Sequence, residues 1–447
     1  MKKNTALSQQ ILQDNIWLLM YRLSIPATIG MTVIGMNNVL DTFFIGHFLG
    51  ETAVAGASLS MPLIQIVFAL ASMVAIGVSS IYSRAIGSKN SEIQKRIFGN
   101  MSAMSIVSGL FSFLLGFFFT EELVALMGGT AQAQTIGVEY FEVILWGAFF
   151  NTFGFSSNML IRSEGNMKVA MQIAIISILV NMVLTPFFLV VLHMGVAGAA
   201  WATVIAWAYY SLANIWYYWK GKSENSIRVH FWELDKRIVK ETLSVGFSAF
   251  LMSFMQFVQL GLMFRLISQS NSDADLAFLG VTMRIYVVAI MPIFGLVRSL
   301  PPIVGINYGA KDYDRVRKTM NIFILTGTIL LALISLPLLI SPEWVFGLMM
   351  KRALLPTEVY NFRILMLGIV LMPFVQLTPV FYQAIGIGKM ASFITLLRQI
   401  VLFVPITIGL HYLMPQHGIY IASTIVEFLT VLLSVVLVWQ RYQKLKA

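Results

Sequence analysis

A single carboxylate, Asp41, lies in an apolar stretch, 24–46, that holds no other charged residue. Two amides precede it at helical spacing, Asn37 by four residues and Asn38 by three, so a helix would place them beside it. An isolated carboxylate in a low-dielectric environment favours uptake of a proton, and a carboxylate among polar oxygens can instead hold a small cation. The plainer alternative is a carboxylate capped near a helix end.

The second half of the sequence carries Arg284, Arg398 and Glu427 at similar depths in apolar stretches. Charges inside a membrane usually pair, which predicts a buried charge pair or triad; the alternative is contact with a bound molecule. Uncharged polar residues in apolar stretches are candidates for lining a cavity, or for joining helices by hydrogen bonds. The candidates for the cavity are Asn37, Tyr140, Asn158, Gln172, Gln256 and Gln259.

Transmembrane helices are the elements that would position these side chains. Of the 447 residues, 58% are hydrophobic and only 11% are charged, and the mean hydropathy is +0.81. Such a composition excludes an ordinary soluble domain. Twelve apolar stretches are each long enough to cross a bilayer. They are 17–46, 52–82, 97–119, 136–160, 168–192, 196–219, 239–268, 275–304, 317–340, 358–385, 390–412 and 418–440.

The two halves of the chain share a pattern at a nearly constant offset. Gly87 and Lys89 recur 222 residues later as Gly309 and Lys311. This predicts an all-α polytopic membrane protein, with 12 transmembrane helices in two six-helix lobes related by a pseudo-two-fold axis along the membrane normal. Such parallel repeats are typical of carriers that alternate access to a cavity between the lobes. The expected divisions are an N-lobe at 1–220, a cytoplasmic linker at 221–237 and a C-lobe at 238–447.

Basic residues outside the spans are distributed unevenly between the two sides. Nearly all lie on one side, and only Lys351 and Arg352 lie in the loops of the other. The positive-inside rule then places both termini in the cytoplasm, with the chain in the inner (plasma) membrane. The formal net charge of +10 reflects this topology, so we expect the lipid bilayer and not a nucleic acid as partner. Nothing in the sequence requires more than a monomer.

Catalytic and nucleotide-binding motifs are absent from the sequence. The nearest approach to a phosphate-binding loop, "AIGIGK" (384–389), lacks the first glycine and the following Ser or Thr. There is no HExxH motif and no set of residues arranged for hydrolysis. We therefore expect neither an enzyme nor a cofactor, and an ion gradient as the energy source for any uphill transport.

Five segments together resemble the multidrug and toxic compound extrusion (MATE) family. They are "VLDTFFIGHFLG" (39–50), the G-x-K elements after spans two and eight, "RSEGNMK" (162–168) and "QAIGIGK" (383–389). The resemblance covers nearly the whole chain. It implies a secondary-active multidrug exporter whose two lobes exchange cationic, amphipathic compounds for H⁺ or Na⁺. The rival within the same superfamily is a flippase or exporter of lipid-linked or anionic cargo, for which Arg284 and Arg398 would supply a cationic cavity.

The resemblance is closest to the DinF-like branch. It implies an ion-coupling cluster of Asp41 with Asn181, Thr185 and Thr203, and a helix kink at Pro26. Tyr140 and Asn158 resemble further members of this cluster. The segment "NMVLTP" (181–186) has Thr185 where that branch carries a second aspartate. A single carboxylate is sufficient for a proton, so we expect H⁺ coupling through Asp41, with Na⁺ held by the same cluster as the alternative and no other metal.

Overall fold

The computed structural model describes residues 7–127, 131–223, 228–268, 273–347 and 353–445, and within these ranges the chain forms helices and no strands. The helices of the first half are α1 (Leu7–Gln13), α2 (Ile16–Leu49), α3 (Glu51–Gly87), α4 (Ser91–Leu126), α5 (Ala131–Trp146), α6 (Ala148–Ser163), α7 (Met167–Pro186) and α8 (Gly195–Trp219). Those of the second half are α9 (Lys236–Ser268), α10 (Asp273–Gly309), α11 (Tyr313–Ile340), α12 (Pro342–Gly347), α13 (Pro356–Ile369), α14 (Met372–Ala384), α15 (Gly388–Leu396), α16 (Val404–Leu413) and α17 (Gly418–Lys444). Lys351 and Arg352 lie outside the described residues.

Each predicted span coincides with a helical segment of the described chain. Eleven segments are long and apolar enough to cross a membrane, and the fourth predicted span is divided at Gly147 into α5 and α6, of 16 residues each. Some helices begin well before the apolar core. Helix α4 begins at Ser91 because the side chain of Asn90 accepts a hydrogen bond from the backbone N–H of Ile93, at 3.2 Å, and so caps the first turn.

The backbone repeats its irregularities in the two halves. The break between α5 and α6 has its counterpart between α13 and α14, and a π-helical segment follows α7 (Phe187–Val191) as another follows α15 (Leu397–Phe403). Lys89 and Lys311 are both left-handed, with φ of 55° and 62°. Irregularities of this kind are set by local sequence, so their recurrence indicates two copies of one six-span unit.

The lobes pack together at one end of the bundle, which we call the closed end and define by the turns 88–90 and 310–312. A Cβ atom on Gly87 would overlap the backbone carbonyl of Ile306, and one on Gly309 would overlap that of Arg84. The two contacts are equivalent, because both partners are separated by the repeat offset of 222 residues. Glycine is therefore required at both positions for the backbones of α3 and α10 to approach so closely.

Polar side chains add to these contacts between lobes. The hydroxyls of Ser24 on α2 and Ser299 on α10 lie 2.6 Å apart. The Arg84 guanidinium on α3 forms a 2.6 Å ion pair with Glu241 on α9. Such contacts matter because apolar burial does not drive helices together in lipid. Towards the opposite end the N-lobe has a core of its own, which includes Ile45 and Leu63 and is separate from the core shared by both lobes.

Candidate functional site

Asp41 lies on α2, eight residues before the helix ends at Leu49, or about 12 Å along the axis. Its side chain is partly buried. One helical turn earlier, the Asn37 amide donates to Asp41 Oδ2 at 3.1 Å. This contact confirms the i, i+4 spacing from which the two side chains were expected to meet. The side chain of Asn38 is outside the described part of the structure.

Helix α7 brings two buried residues to the same carboxylate. The Thr185 hydroxyl donates to Asp41 Oδ1 at 3.4 Å. The Asn181 amide is assigned with its NH₂ group toward Asp41, because the reverse orientation would turn its oxygen toward acceptors only. In that orientation its nitrogen lies 3.0 Å from Asp41 Oδ1 and 3.1 Å from Asn37 Oδ1. Three neutral donors therefore face the carboxylate.

Helices α8 and α5 complete the cluster. The Thr203 hydroxyl lies 3.2 Å from the oxygen of the Asn181 amide, and the buried side chain of Tyr140 lies beside Thr203. None of the ion pairs in the described ranges includes Asp41. We define the N-lobe cluster as Asp41, Asn37, Asn181, Thr185, Thr203 and Tyr140. Its chemistry suits exchange of a proton or a small cation at one carboxylate.

Asp41 is not the only acid of the N-lobe at about this distance from a helix end. Glu139 and Glu142 lie eight and eleven residues after the start of α5, and both are exposed. Their exposure allows hydration or movement toward the membrane surface. What distinguishes Asp41 is enclosure by donors from other helices.

Pro26 and the remaining cavity candidates lie away from the N-lobe cluster. Helix α2 continues through Pro26, which removes one backbone hydrogen bond from that helix. Asn158 is fully buried and donates to the Ala170 carbonyl and the Asn214 amide. Gln172 and Gln256 are exposed. The hydrogen bonds of Asn158 connect α6 to α7 and α8, and the two glutamines lie outside the N-lobe cluster.

The C-lobe holds a buried ion pair in place of a triad. Arg398 Nη2 lies 2.5 Å from Glu427 Oε1, with the two side chains 12% and 7% exposed. Arg284 is exposed and is not part of the pair. A cavity of about 40 Å³ adjoins the pair and is lined in part by Glu427, Tyr286 and Gln259. Gln259 also accepts a hydrogen bond from Gln399 at 3.0 Å.

Two further arginines, Arg162 and Arg298, are residues that the sequence pattern did not single out. Arg162 at the end of α6 is only 4% exposed, and Arg298 on α10 lies over the ring of Phe155 at 5.6 Å. In the sequence, neither arginine has an acidic residue three or four positions away, and this could have marked both as cations without a partner on their own helix. No group of three His, Cys, Asp or Glu residues that could hold a metal occurs in the described ranges.

Comparison with known proteins identifies the family. The MatE family model matches residues 26–187 and again 245–408, once in each half. The multidrug export protein MepA of Staphylococcus saprophyticus is 24% identical over 424 residues, covering 94% of this chain and 93% of that protein. A solved structure of a MATE protein in the bent conformation superposes with a TM-score of 0.93, at 23% identity and 99% coverage of both chains. An outward-facing multidrug resistance MATE transporter superposes with a TM-score of 0.90, at 23% identity and full coverage. These matches confirm the twelve-helix, two-lobed fold, and the chain belongs to the MATE family of membrane transporters.

Proposed function

We propose that this chain is a secondary-active multidrug exporter that exchanges cationic, amphipathic compounds for protons. The observation that carries the proposal is the enclosed Asp41 carboxylate, which faces three neutral donors and has no cationic partner in the described ranges. A carboxylate in such surroundings can bind either a proton or a cationic substrate nearby, but the two compete for the same negative charge. The relative MepA is a multidrug export protein, and this supports outward transport of the substrate.

The closed end is the cytoplasmic end in this proposal, with both termini in the cytoplasm and the chain acting as a monomer in the inner (plasma) membrane. The lobes, at 1–220 and 238–447, then form an outward-open state joined by the linker at 221–237. In this state Asp41 takes up a proton from outside, and α2 bends near Pro26. The substrate leaves, and the lobes reverse to release the proton inside.

Sodium coupling by the same cluster is the alternative. If the Asn181 amide turned over, its oxygen would lie 3.0 Å from Asp41 Oδ1 and 3.1 Å from Asn37 Oδ1. Three oxygens so close together repel one another unless a cation lies between them. With Thr185 in place of a second acid, the cluster contributes only one negative charge, and this favours the proton.

Transport by purified protein in lipid vesicles tests the proposal. A fluorescent organic cation should be moved when an imposed proton gradient is present, and the rate should fall to background in Asp41→Asn. Glu139→Gln, which removes an exposed acid at similar depth, is the matched control and should keep most of the activity. Transport that follows a sodium gradient and ignores the proton gradient would establish the alternative, and undiminished transport by Asp41→Asn would overturn both.

A further inference from the structure

Arg162 is a buried cation whose described partners are neutral. Its Nε donates to the Asn158 amide oxygen at 2.9 Å, and its guanidinium lies close to the hydroxyl of Tyr210 on α8. With 4% of its surface exposed, the side chain is largely removed from solvent. Arginine is rarely buried so completely without a negative partner, because the cost of removing a charge from water is high.

A second cation reaches the same place from the other lobe. Arg298 projects from α10 of the C-lobe onto the ring of Phe155, which is on α6 of the N-lobe. Arg298 also lies near enough to the Arg162 guanidinium and the neutral Tyr210 hydroxyl for both to act on it electrostatically. Two like charges thus face each other across the junction of the lobes.

Glu164, the acidic residue nearest to Arg162 in the sequence, binds a different set of side chains. Glu164 accepts hydrogen bonds from Tyr82 at 2.8 Å, from Tyr217 at 3.0 Å and from Ser223 at 2.7 Å. It therefore belongs to a separate group of hydroxyl donors. The two arginines repel each other in surroundings of low dielectric, where an unbalanced charge is most costly. Some anion from outside the chain would remove this cost.

We propose that Arg162 and Arg298, with the Tyr210 hydroxyl, form an oxyanion-binding site between the two lobes. The guanidinium group presents paired N–H donors that match a carboxylate or a phosphate group. Each lobe supplies one arginine, so the bound anion stabilises the closed end, and separation of the lobes takes the site apart. The site is distinct from the N-lobe cluster around Asp41 and does not depend on proton coupling there.

Titration of the purified full-length protein with inorganic phosphate, in nanodiscs of zwitterionic lipid, tests the site. The parent should show saturable heat of binding, and Arg298→Gln should weaken the affinity about tenfold or more. Arg284→Gln removes an exposed arginine from the same helix and should leave the affinity within about twofold. Because Arg162 is buried, the second variant is Arg162→Lys, which keeps the positive charge. It loses the paired N–H donors of the guanidinium and should also bind phosphate more weakly.

The absence of saturable binding to the parent, or equal affinity in Arg298→Gln, would overturn the proposal. Repeating the titration in nanodiscs that contain an anionic lipid identifies the source of the group. A weaker apparent phosphate affinity there means that a lipid headgroup competes for the site. An unchanged affinity means that the site takes a soluble anion, and either result supports the site itself.

The effect of the anion on closure of the lobes can be measured separately by disulfide formation, because the chain has no cysteine of its own. Cysteines introduced at Ser24 and Ser299, whose hydroxyls are 2.6 Å apart across the lobes, report closure by the rate at which they form a disulfide. Phosphate should accelerate this reaction in the parent background and not in the Arg298→Gln background. Acceleration in both backgrounds would show that phosphate acts elsewhere.

Discussion

The buried ion pair of the C-lobe should be costly to break from one side. In Glu427→Gln the guanidinium of Arg398 would remain only 12% exposed and without its counter-charge. Removal of one partner from a buried pair typically costs about 3–5 kcal/mol. We expect a loss of that size in the free energy of unfolding.

The intact pair itself should contribute much less than this value. Glu427 Oε2 and Arg398 Nε are both buried without a hydrogen-bond partner in the described ranges, so the geometry satisfies only part of each group. Replacement of both residues by apolar ones of similar volume, Arg398→Met with Glu427→Leu, removes both charges together. The double variant should lie within about 1 kcal/mol of the parent, or be more stable.

The assay is reversible unfolding of the purified protein in detergent micelles, followed by helical circular dichroism. Arg284→Gln is the matched control, since this arginine is exposed and outside the pair, and it should cost no more than about 0.5 kcal/mol. The electrostatic interpretation fails if Glu427→Gln lowers the free energy of unfolding no more than this control does. It also fails if the double variant loses as much stability as the single one.

Three further predictions concern the closed end and the linker. The disulfide between cysteines at Ser24 and Ser299 should stop vesicle transport until a reductant is added, and transport with the disulfide intact would show that this contact need not open. Arg84→Gln removes the partly exposed ion pair with Glu241 and should weaken closure by about 0.5–1 kcal/mol, measured as about a two- to fivefold slower disulfide formation; an unchanged rate would contradict this contribution. Backbone N–H donors lower the pKa of Asp235 in the linker, so its stabilising contribution is present above the ordinary Asp value of about 4 and is lost only as the pH falls through the lowered pKa. Limited proteolysis of the linker should therefore not vary between about pH 5 and pH 8, and a marked change in that range would contradict the ionised state.

The sequence predicted the helices and the repeat because both depend on composition along the chain. Apolar stretches of bilayer length located all the spans, and the recurrence of Gly87 as Gly309 indicated the repeat. That both glycines lie against the backbone of the other lobe is seen only in the structure. The division of the fourth span was not predicted. Gly147 is the only glycine near that break, and its position is fixed by close packing against Trp207 and Val204 of α8.

Depth in the membrane could be read from the sequence, but the direction of a side chain around its helix could not. Arg284 and Arg398 have similar depths, yet one is exposed and the other is paired with Glu427. Arg162 was assigned to a loop because it follows an apolar stretch, whereas the structure extends α6 beyond it and buries it. These differences arise from tertiary packing, which a single sequence does not contain.

Competition between protons and substrate at Asp41 is tested most directly by substrate affinity measured as a function of pH. In the parent, the logarithm of the dissociation constant should rise by up to about one unit for each pH unit of acidification, as linkage to one proton requires. In Asp41→Asn the substrate affinity should not vary with pH. Replacing sodium by choline should leave the substrate affinity of both proteins unchanged. A pH-independent parent, or the same slope in Asp41→Asn, would contradict proton coupling through this carboxylate.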